Sequence, residues 1–374
     1  MGKNKLGIYI HIPFCISKCN YCSFCSYPLK SFSHKIIKEY FEAILFEIQL
    51  YSDIIKNSTI ETIYFGGGTP SIVEKKYIEK ILEKFQLENC IEITLEANPA
   101  TVSTTALKFY KSIGINRLSI GIQSFNNEIL KFLKRPHNKK DCKEAIEKSI
   151  KIFKNLSIDL IFAVPGQNKK IVEQDLSIAV NYNLPHISIY GLSIEKGSKF
   201  YETGVKEVDE NTYSEMYMLI SKYLQKAGYT HYEISNYCKS DYYSKHNINY
   251  WKGVNYLGFG AGAHSFYNIE RWSNLSNVIE YIEKVSQHKF PVAYKESLSK
   301  TTLQNEYIFL NLRKKEGLDL EDFFKKFNFD FRDKFKKKIE NLLKNNLITI
   351  ENNKLSLTEK GFLLSDYIFA EFFT

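Results

Sequence analysis

The sequence predicts a mixed α/β fold: a partial, open (β/α)6 TIM-like barrel followed by a small, helical, winged-helix-like C-terminal domain. Three observations lead there. Six short β-rich runs alternate with segments of helical period through the N-terminal half, the pattern of βαβ units and a parallel sheet. Polar and glycine residues cluster just after those runs, where ligand sites of parallel barrels lie. The last part of the chain changes to amphipathic helices and a short hairpin.

The runs are Leu6 to Ile12, Glu61 to Phe65, Ile91 to Glu96, Arg117 to Ile122, Ser157 to Phe162 and His186 to Tyr190. Helical pattern falls at Ser33 to Tyr51, Val73 to Phe85, Thr104 to Ser112 and Asn211 to Ala227. Six units are too few to close an eight-fold barrel, so an open one is expected. From about Thr301, two helices lead into Leu347–Ile350 and Lys354–Leu357, joined by Glu351-Asn352-Asn353, which reads as a helix-helix-wing arrangement. The expected division is a core at 1–230, a connecting region at 231–300 and the C-terminal domain at 301–374.

The chain has 374 residues, 44% hydrophobic and 25% charged, an ordinary globular balance able to bury a sizeable core. The first apolar run is short, carries His11 and Pro13 and lacks a small-residue cleavage site, so no signal peptide is expected. No apolar run is long enough to span a bilayer, which leaves only peripheral membrane association open. Seven cysteines, four of them between residues 15 and 25, fit a metal site in a reducing cytoplasm better than a disulfide framework. The net charge of +9 is spread along the chain without a nucleic-acid-binding motif, so lysine-rich helix faces rather than a nucleic-acid partner are expected. The same charge suits an anionic small ligand.

The chemistry concentrates in Cys15-Ile16-Ser17-Lys18-Cys19-Asn20-Tyr21-Cys22, directly after the first strand. Thiolates at Cys-x3-Cys-x2-Cys spacing can hold three irons of a [4Fe–4S] cluster and leave the fourth open to a small molecule. A structural zinc site is the alternative, but it wants a second Cys/His pair at knuckle spacing, and none follows. Cys25 could close the cluster as a fourth ligand. Four consecutive local ligands wrap one cubane awkwardly, so Cys25 is read as a nearby free thiol. His11, four residues before the first cysteine, is read as a support for this loop.

Gly66-Gly67-Gly68-Thr69-Pro70 follows the second strand and lets a backbone approach a ligand closely, as a cradle for the amino group of a methionine-like ligand or simply as tight packing. Glu96 could accept from a ribose hydroxyl or face a cation, or form a rim salt bridge. Gln123, Arg135 and Asp159 lie on or beyond later strands, and Arg135 could hold a carboxylate. His246 stands beside Tyr250 and Trp251. It is either a loop histidine satisfied by backbone or an imidazole that could ligate a haem iron among flat aromatic walls. His264, in the glycine-rich loop after Gly258, is a second such candidate.

Together, Tyr9-Ile10-His11-Ile12-Pro13-Phe14-Cys15, the cysteine spacing, Gly66 to Ser71, Glu96 to Pro99, Gln123, Asp159-Leu160-Ile161 with Pro165-Gly166-Gln167, Glu233 to Asn236 and Leu357 to Gly361 resemble the radical S-adenosylmethionine superfamily. The branch is the one containing oxygen-independent coproporphyrinogen III dehydrogenase and the HemW haem chaperones. The resemblance spans almost the whole chain. It implies a [4Fe–4S] cluster on Cys15, Cys19 and Cys22 whose open iron chelates S-adenosylmethionine. One electron from the reduced cluster can then cleave the C–S bond to methionine and a 5′-deoxyadenosyl radical. It implies Tyr9, Gly67, Gly68, Thr69, Glu96, Gln123, Arg135 and Asp159 around that cofactor.

Two features separate the sisters. The dehydrogenase resemblance would bring a long arm before the cluster and a cysteine at the position of Phe24; here the first cysteine is residue 15 and the extra thiol is Cys25. His246-Asn247-x-x-Tyr250-Trp251 is similar to the HemW signature, in which the histidine is implicated in haem binding. The expectation is therefore a cytoplasmic haem chaperone that carries cluster, S-adenosylmethionine and haem, passes haem to an acceptor protein and allows a homodimer. Radical decarboxylation of coproporphyrinogen III is the rival, and nucleic-acid modification is a weaker third reading.

Overall fold

The computed structural model describes residues 4–373. Six parallel strands form its centre: β1 (Asn4–Ile12), β2 (Ser58–Gly67), β3 (Glu92–Ala97), β4 (Arg117–Gln123), β5 (Asn155–Phe162) and β6 (His186–Gly191). Between them run α1 (His34–Leu50), α2 (Lys75–Leu82), α3 (Thr104–Ser112), α4 (Lys139–Ile150) and α5 (Lys169–Asn181). The mixed α/β core read from the sequence is present, with strand positions shifted by no more than a few residues.

These strands are buried on both faces, and their side chains alternate. One face carries Ile8, Ile10, Ile63, Phe65, Ile93, Leu95, Leu118, Ile120, Ile158, Leu160, Ile187 and Ile189, all inside the main apolar core. The alternate positions carry Thr62, Tyr64, Thr94, Glu96, Arg117, Ser119, Asp159, Ser188 and Tyr190. Register places these polar residues in rows across the sheet: Tyr64 beside Thr94 and Thr94 beside Arg117, Glu96 beside Ser119, and Asp159 between Gly121 and Ser188. Two-residue periodicity thus gives the sheet one face for its helices and one polar interior face.

The sheet does not end with six strands. After α6 (Glu210–Lys226), the chain adds β7 (Thr230–Glu233) and β8 (Asn236–Cys238), then α7 (Lys245–Trp251), β9 (Asn255–Phe259), β10 (His264–Tyr267), β11 (Glu270–Asn274) and β12 (Val292–Ser297). The strand order is β12-β11-β10-β9-β1-β2-β3-β4-β5-β6-β8-β7, with β9 parallel to β1. The expected connecting region, 231–300, therefore contributes strands to the same sheet, with two short helices between them. The C-terminal segment opens with α8 (Lys300–Leu312). It is mostly helical, with a three-stranded wing of β13 (Leu318–Asp319), β14 (Ile348–Glu351) and β15 (Lys354–Leu357). Asn352 and Asn353 both have positive φ, as a tight hairpin turn requires. Among the described residues, no helix is long and apolar enough to cross a membrane.

α1 begins at Ser33, whose side chain accepts from the Ile36 amide. It buries Tyr40, Phe41, Ile44 and Ile48, and with them Glu47. The Glu47 carboxylate accepts from Tyr281 Oη at 2.6 Å, Asn274 Nδ2 at 2.7 Å and the Gly260 amide at 2.9 Å, tying α1 to the added strands. Burial raises its pKa from 4.5 to about 7, against the pull of those donors. A carboxyl group with a raised folded pKa stabilises the fold below its unfolded value and loses that contribution as pH rises through the folded one. Two outcomes follow in urea unfolding. Glu47→Ala strands buried donors at a cost of roughly 1–3 kcal/mol each. The stability advantage of the native residue over Glu47→Gln shrinks between pH 5 and pH 8; an advantage independent of pH contradicts the assignment.

Candidate functional site

Two cavities open at the strand ends. The smaller, about 460 Å³, is lined by Cys15, Cys19 and Cys22 together with Gly67, Gly68, Thr69, Glu96, Gln123, Arg135 and Asp159. Ten of the sequence-derived residues thus meet on one wall system. Tyr9 and His246 do not. Tyr9 lines the larger cavity, of about 1390 Å³, while Tyr64, stacked on it at 6.2 Å, lines the smaller one.

The cysteine loop is held by contacts to the neighbouring strand ends. Gly68 donates its amide to Ile12 O and Thr69 to Phe14 O, both at 2.8 Å, lacing the glycine segment to the cysteine segment. A Cβ at Gly68 would lie 2.6 Å from Phe14 O, so only glycine permits this approach. His11 closes the other end. Burial lowers its pKa to about 4, which leaves it neutral; Nε2 donates to Cys25 O at 2.8 Å and Nδ1 accepts from Tyr9 Oη at 3.0 Å. The expected support role of His11 is thus given partners. Each of these three loop cysteines has its own polar neighbour. Thr69 Oγ1 lies 3.7 Å from Cys15 Sγ, Arg135 Nη1 donates to Cys19 Sγ at 3.2 Å, and Ser26 Oγ is 3.5 Å from Cys22 Sγ. Cys25 turns away, donating to Ser276 O at 3.2 Å, and lines the larger cavity.

The cavity floor is charged. Glu96 Oε1 accepts from Tyr64 Oη at 2.6 Å, and burial raises its pKa from 4.5 to about 7. Burial likewise raises that of Asp159, which accepts from Ser119 Oγ at 3.2 and 3.3 Å. Arg117, at the start of β4, is buried on the same wall, and neither its Nε nor that of Arg135 has a hydrogen-bond partner among the described residues. Gln123 ends β4 at φ +69, a left-handed conformation set at a β-bulge. Soft sulfur, a glycine-lined approach, two buried carboxylates and two guanidinium groups whose Nε atoms lack partners suit a thiolate-bound cluster beside a zwitterionic, cationic ligand. Tyr64, Arg117, Ser119 and Ser188 were not singled out from the sequence. Their signal was the polar alternation within strands otherwise rich in Ile and Leu.

His246 sits elsewhere. It is 1% exposed, with Nδ1 hydrogen-bonded to Thr62 Oγ1 and Nε2 to Tyr250 Oη, both at 2.8 Å. Its amide donates to Glu92 Oε1 at 2.9 Å, and its ring stacks on Tyr64. Burial, then Arg117, lowers its pKa to about 3. It faces neither cavity, although Tyr250 and Trp251 of the same helix line the larger one.

Comparison with known proteins agrees with this geometry. The radical SAM superfamily model matches residues 9–179, and the HemN C-terminal domain model matches residues 298–364. The heme chaperone HemW of Lactococcus lactis is 35% identical over 373 residues, covering 97% of this chain and 96% of that protein. The chain belongs to the HemW family of the radical SAM superfamily. HemW of Bacillus subtilis is 33% identical, with 97% and 98% covered. In structure, coproporphyrinogen III oxidase (HemN) from Escherichia coli, a radical SAM enzyme, superposes with a TM-score of 0.85 over the whole chain and 91% of its own, at 20% identity, a likeness of fold. Membership of this superfamily implies a [4Fe–4S] cluster and S-adenosylmethionine.

The lacing of the two loops can be tested on the apoprotein. Gly68→Ala should cost about 1–3 kcal/mol through overpacking against Phe14 O, read as a lower urea midpoint, whereas Gly166→Ala, where an added Cβ meets nothing within 4 Å, carries only the backbone penalty of its positive φ. Equal losses at the two sites would contradict the close approach.

Proposed function

We propose that this chain is a haem chaperone: it binds haem and delivers it to an acceptor protein, and it carries a [4Fe–4S] cluster on Cys15, Cys19 and Cys22 with S-adenosylmethionine beside it. The observation that carries the reading is the near-complete, 35% identical match to the heme chaperone HemW of Lactococcus lactis, in a chain whose three loop thiols and polar strand ends line one cavity. When bound, the cluster supplies one-electron chemistry and an open coordination site. The chain's residues do the rest. Gly67 and Gly68 admit the amino-acid end of the cofactor, Glu96 and Asp159 face its positive charge, and Arg135 steadies the Cys19 sulfur. Gln123 closes the rim. We place Tyr9 behind Tyr64, as a support rather than a direct contact. A cytoplasmic site and a homodimer are part of the reading; the acceptor is a protein able to take haem.

The test is anaerobic reconstitution of the full chain, followed by iron and sulfide analysis, electron paramagnetic resonance and hemin titration. Four irons per chain, a reduced-cluster signal that changes on adding S-adenosylmethionine, and stoichiometric hemin binding are expected. Cys15→Ala, Cys19→Ala and Cys22→Ala should each abolish the signal, and Cys25→Ser should keep it. A zinc-only protein, a cluster lost in Cys25→Ser, or turnover of coproporphyrinogen III would overturn the reading.

Glu96 gives a second expectation. Below pH 7 its carboxyl is largely neutral and above it largely charged, so affinity for the cationic sulfonium should rise from pH 6 to pH 8. Asp159, Arg117 and Tyr64 share that pocket and are present in both forms compared. Glu96→Gln should bind more weakly at pH 8 and flatten the profile; a flat profile in the unsubstituted protein removes Glu96 from the site.

A further inference from the structure

β4 ends irregularly. Its ladder shifts register between Gly121 and Gln123, so Ile122 is paired with neither β3 nor β5. A bulge of this kind re-aims the side chain beside it. Here that side chain belongs to Gln123, whose amide folds back over Gly121: a Cβ there would lie 2.8 Å from Gln123 Nε2 and 3.3 Å from Arg135 Nη2. The left-handed φ of Gln123 is costly for a residue with a Cβ, and persists only where the surroundings impose it.

The imposing groups come from one tripeptide, Arg135-Pro136-His137. Arg135 Nη2 donates to Gly121 O at 2.8 Å, and His137 Nε2 lies 3.1 Å from Ile122 O. Two successive carbonyls of β4 are thus gripped by two side chains of the same segment. Arg135 lines the smaller cavity and also reaches Cys19 Sγ. His137 is buried behind that wall and does not line it. Just beyond it, Asn138 caps α4 by accepting from the amides of Lys140 and Asp141, which anchors the segment.

One ring proton has two oxygens to choose between. Burial, then Arg135, lowers the His137 pKa to about 4, so the ring is neutral and carries a single N–H. Nδ1 faces Asn98 Oδ1 at 3.1 Å, but that oxygen already accepts from the Ala100 amide. Ile122 O has no strand partner and can only accept, so the N–H belongs on Nε2. Asn98 carries the contact further: its carbonyl accepts from Thr101 Oγ1 at 2.8 Å, and Ser71 Oγ is 2.6 Å from the same hydroxyl. The segments that follow β2, β3 and β4 are joined behind the cavity in this way.

We propose that His137 is a positioning residue for S-adenosylmethionine: by donating from Nε2 to Ile122 O it holds the bulge that sets Gln123 beside Arg135 on the cavity wall, without touching the cofactor. This rests on the reading that the smaller cavity takes S-adenosylmethionine.

The experiment uses the reconstituted full chain at one pH. S-adenosylmethionine affinity is measured by equilibrium dialysis, and the reduced-cluster resonance is recorded with and without the cofactor, for the unsubstituted protein, His137→Ala, His137→Gln and His137→Asn. A glutamine amide falls about where Nε2 lies and an asparagine amide about where Nδ1 lies, so this pair separates the two contacts. The iron content and the resonance without cofactor should be the same in all four. Affinity should fall roughly tenfold in His137→Ala and His137→Asn, as loss of one buried hydrogen bond gives, and return to within about threefold of the unsubstituted value in His137→Gln. Unchanged affinity in His137→Ala overturns the assignment. So does equal behaviour of the glutamine and asparagine variants, recovery in the asparagine variant alone, or loss of the cluster in His137→Gln. Should His137→Ala itself lose the cluster, the glutamine and asparagine variants decide by the same criteria. Failure of the unsubstituted chain to bind S-adenosylmethionine overturns the cofactor reading, and the assignment with it.

Discussion

A sheet buried on both faces must satisfy whatever polar groups its strands turn inward, and that constraint governs this molecule. Every second residue of the central strands points into the barrel, and there the chain has placed Thr62, Tyr64, Glu96, Arg117, Ser119, Asp159 and Ser188 instead of the Ile and Leu of the helix-facing side. Buried polar groups are costly unless paired. Part of this interior is paired by the protein itself. Helix α7 enters it, donating the amides of Lys245 and His246 to Glu92 and the His246 ring to the space between Thr62 and Tyr250. The upper part is left open, and its remaining donors and acceptors face a cavity beside three thiols. A ligand-binding site is what remains of a polar interior after the protein has filled the end it can fill.

The same division explains which readings were legible in the sequence. Period-two alternation and turn residues are local signals, so the six parallel strands, the helices α1, α2, α3 and α6 and the C-terminal hairpin could be read within a few residues. The rim positions could be read too, because Cys15 to Cys22, Gly67, Gly68, Glu96 and Gln123 lie at or just beyond the ends of strands whose direction is fixed by parallel pairing. Strand β9 could not. Asn255–Phe259 is short and carries Gly258, and its parallel pairing with β1 is a contact between segments far apart in the chain. Its absence from the sequence reading made 231–300 look like a connector.

Tyr9 and His246 show the limit more sharply. Each was a sound candidate by type and neighbourhood. Tyr9 is on an inward position of β1, but β1 is flanked by β9 as well as β2, so its interior face borders the larger cavity. His246 lies on a helix whose insertion depends on Glu92 and Thr62, more than a hundred residues away. Spacing alone does not show which partners an imidazole has; both ring nitrogens of His246 are hydrogen-bonded, to Thr62 and Tyr250.

The two cavities are not independent. Cys22 lines the smaller and Cys25 the larger, and Ser23 and Phe24 between them line both. The tail of the cysteine loop is therefore the partition. Phe24 is 69% exposed, an aromatic ring held in the open at the boundary. Its backbone carbonyl accepts from Lys18, and the next residue's carbonyl accepts from His11. The loop reaches the larger cavity by two contacts: Cys25 O accepts from His11, which is bonded in turn to Tyr9 Oη, and Cys25 Sγ donates to Ser276 O. A partition this short puts the two residues that follow Cys22 on the walls of both cavities at once.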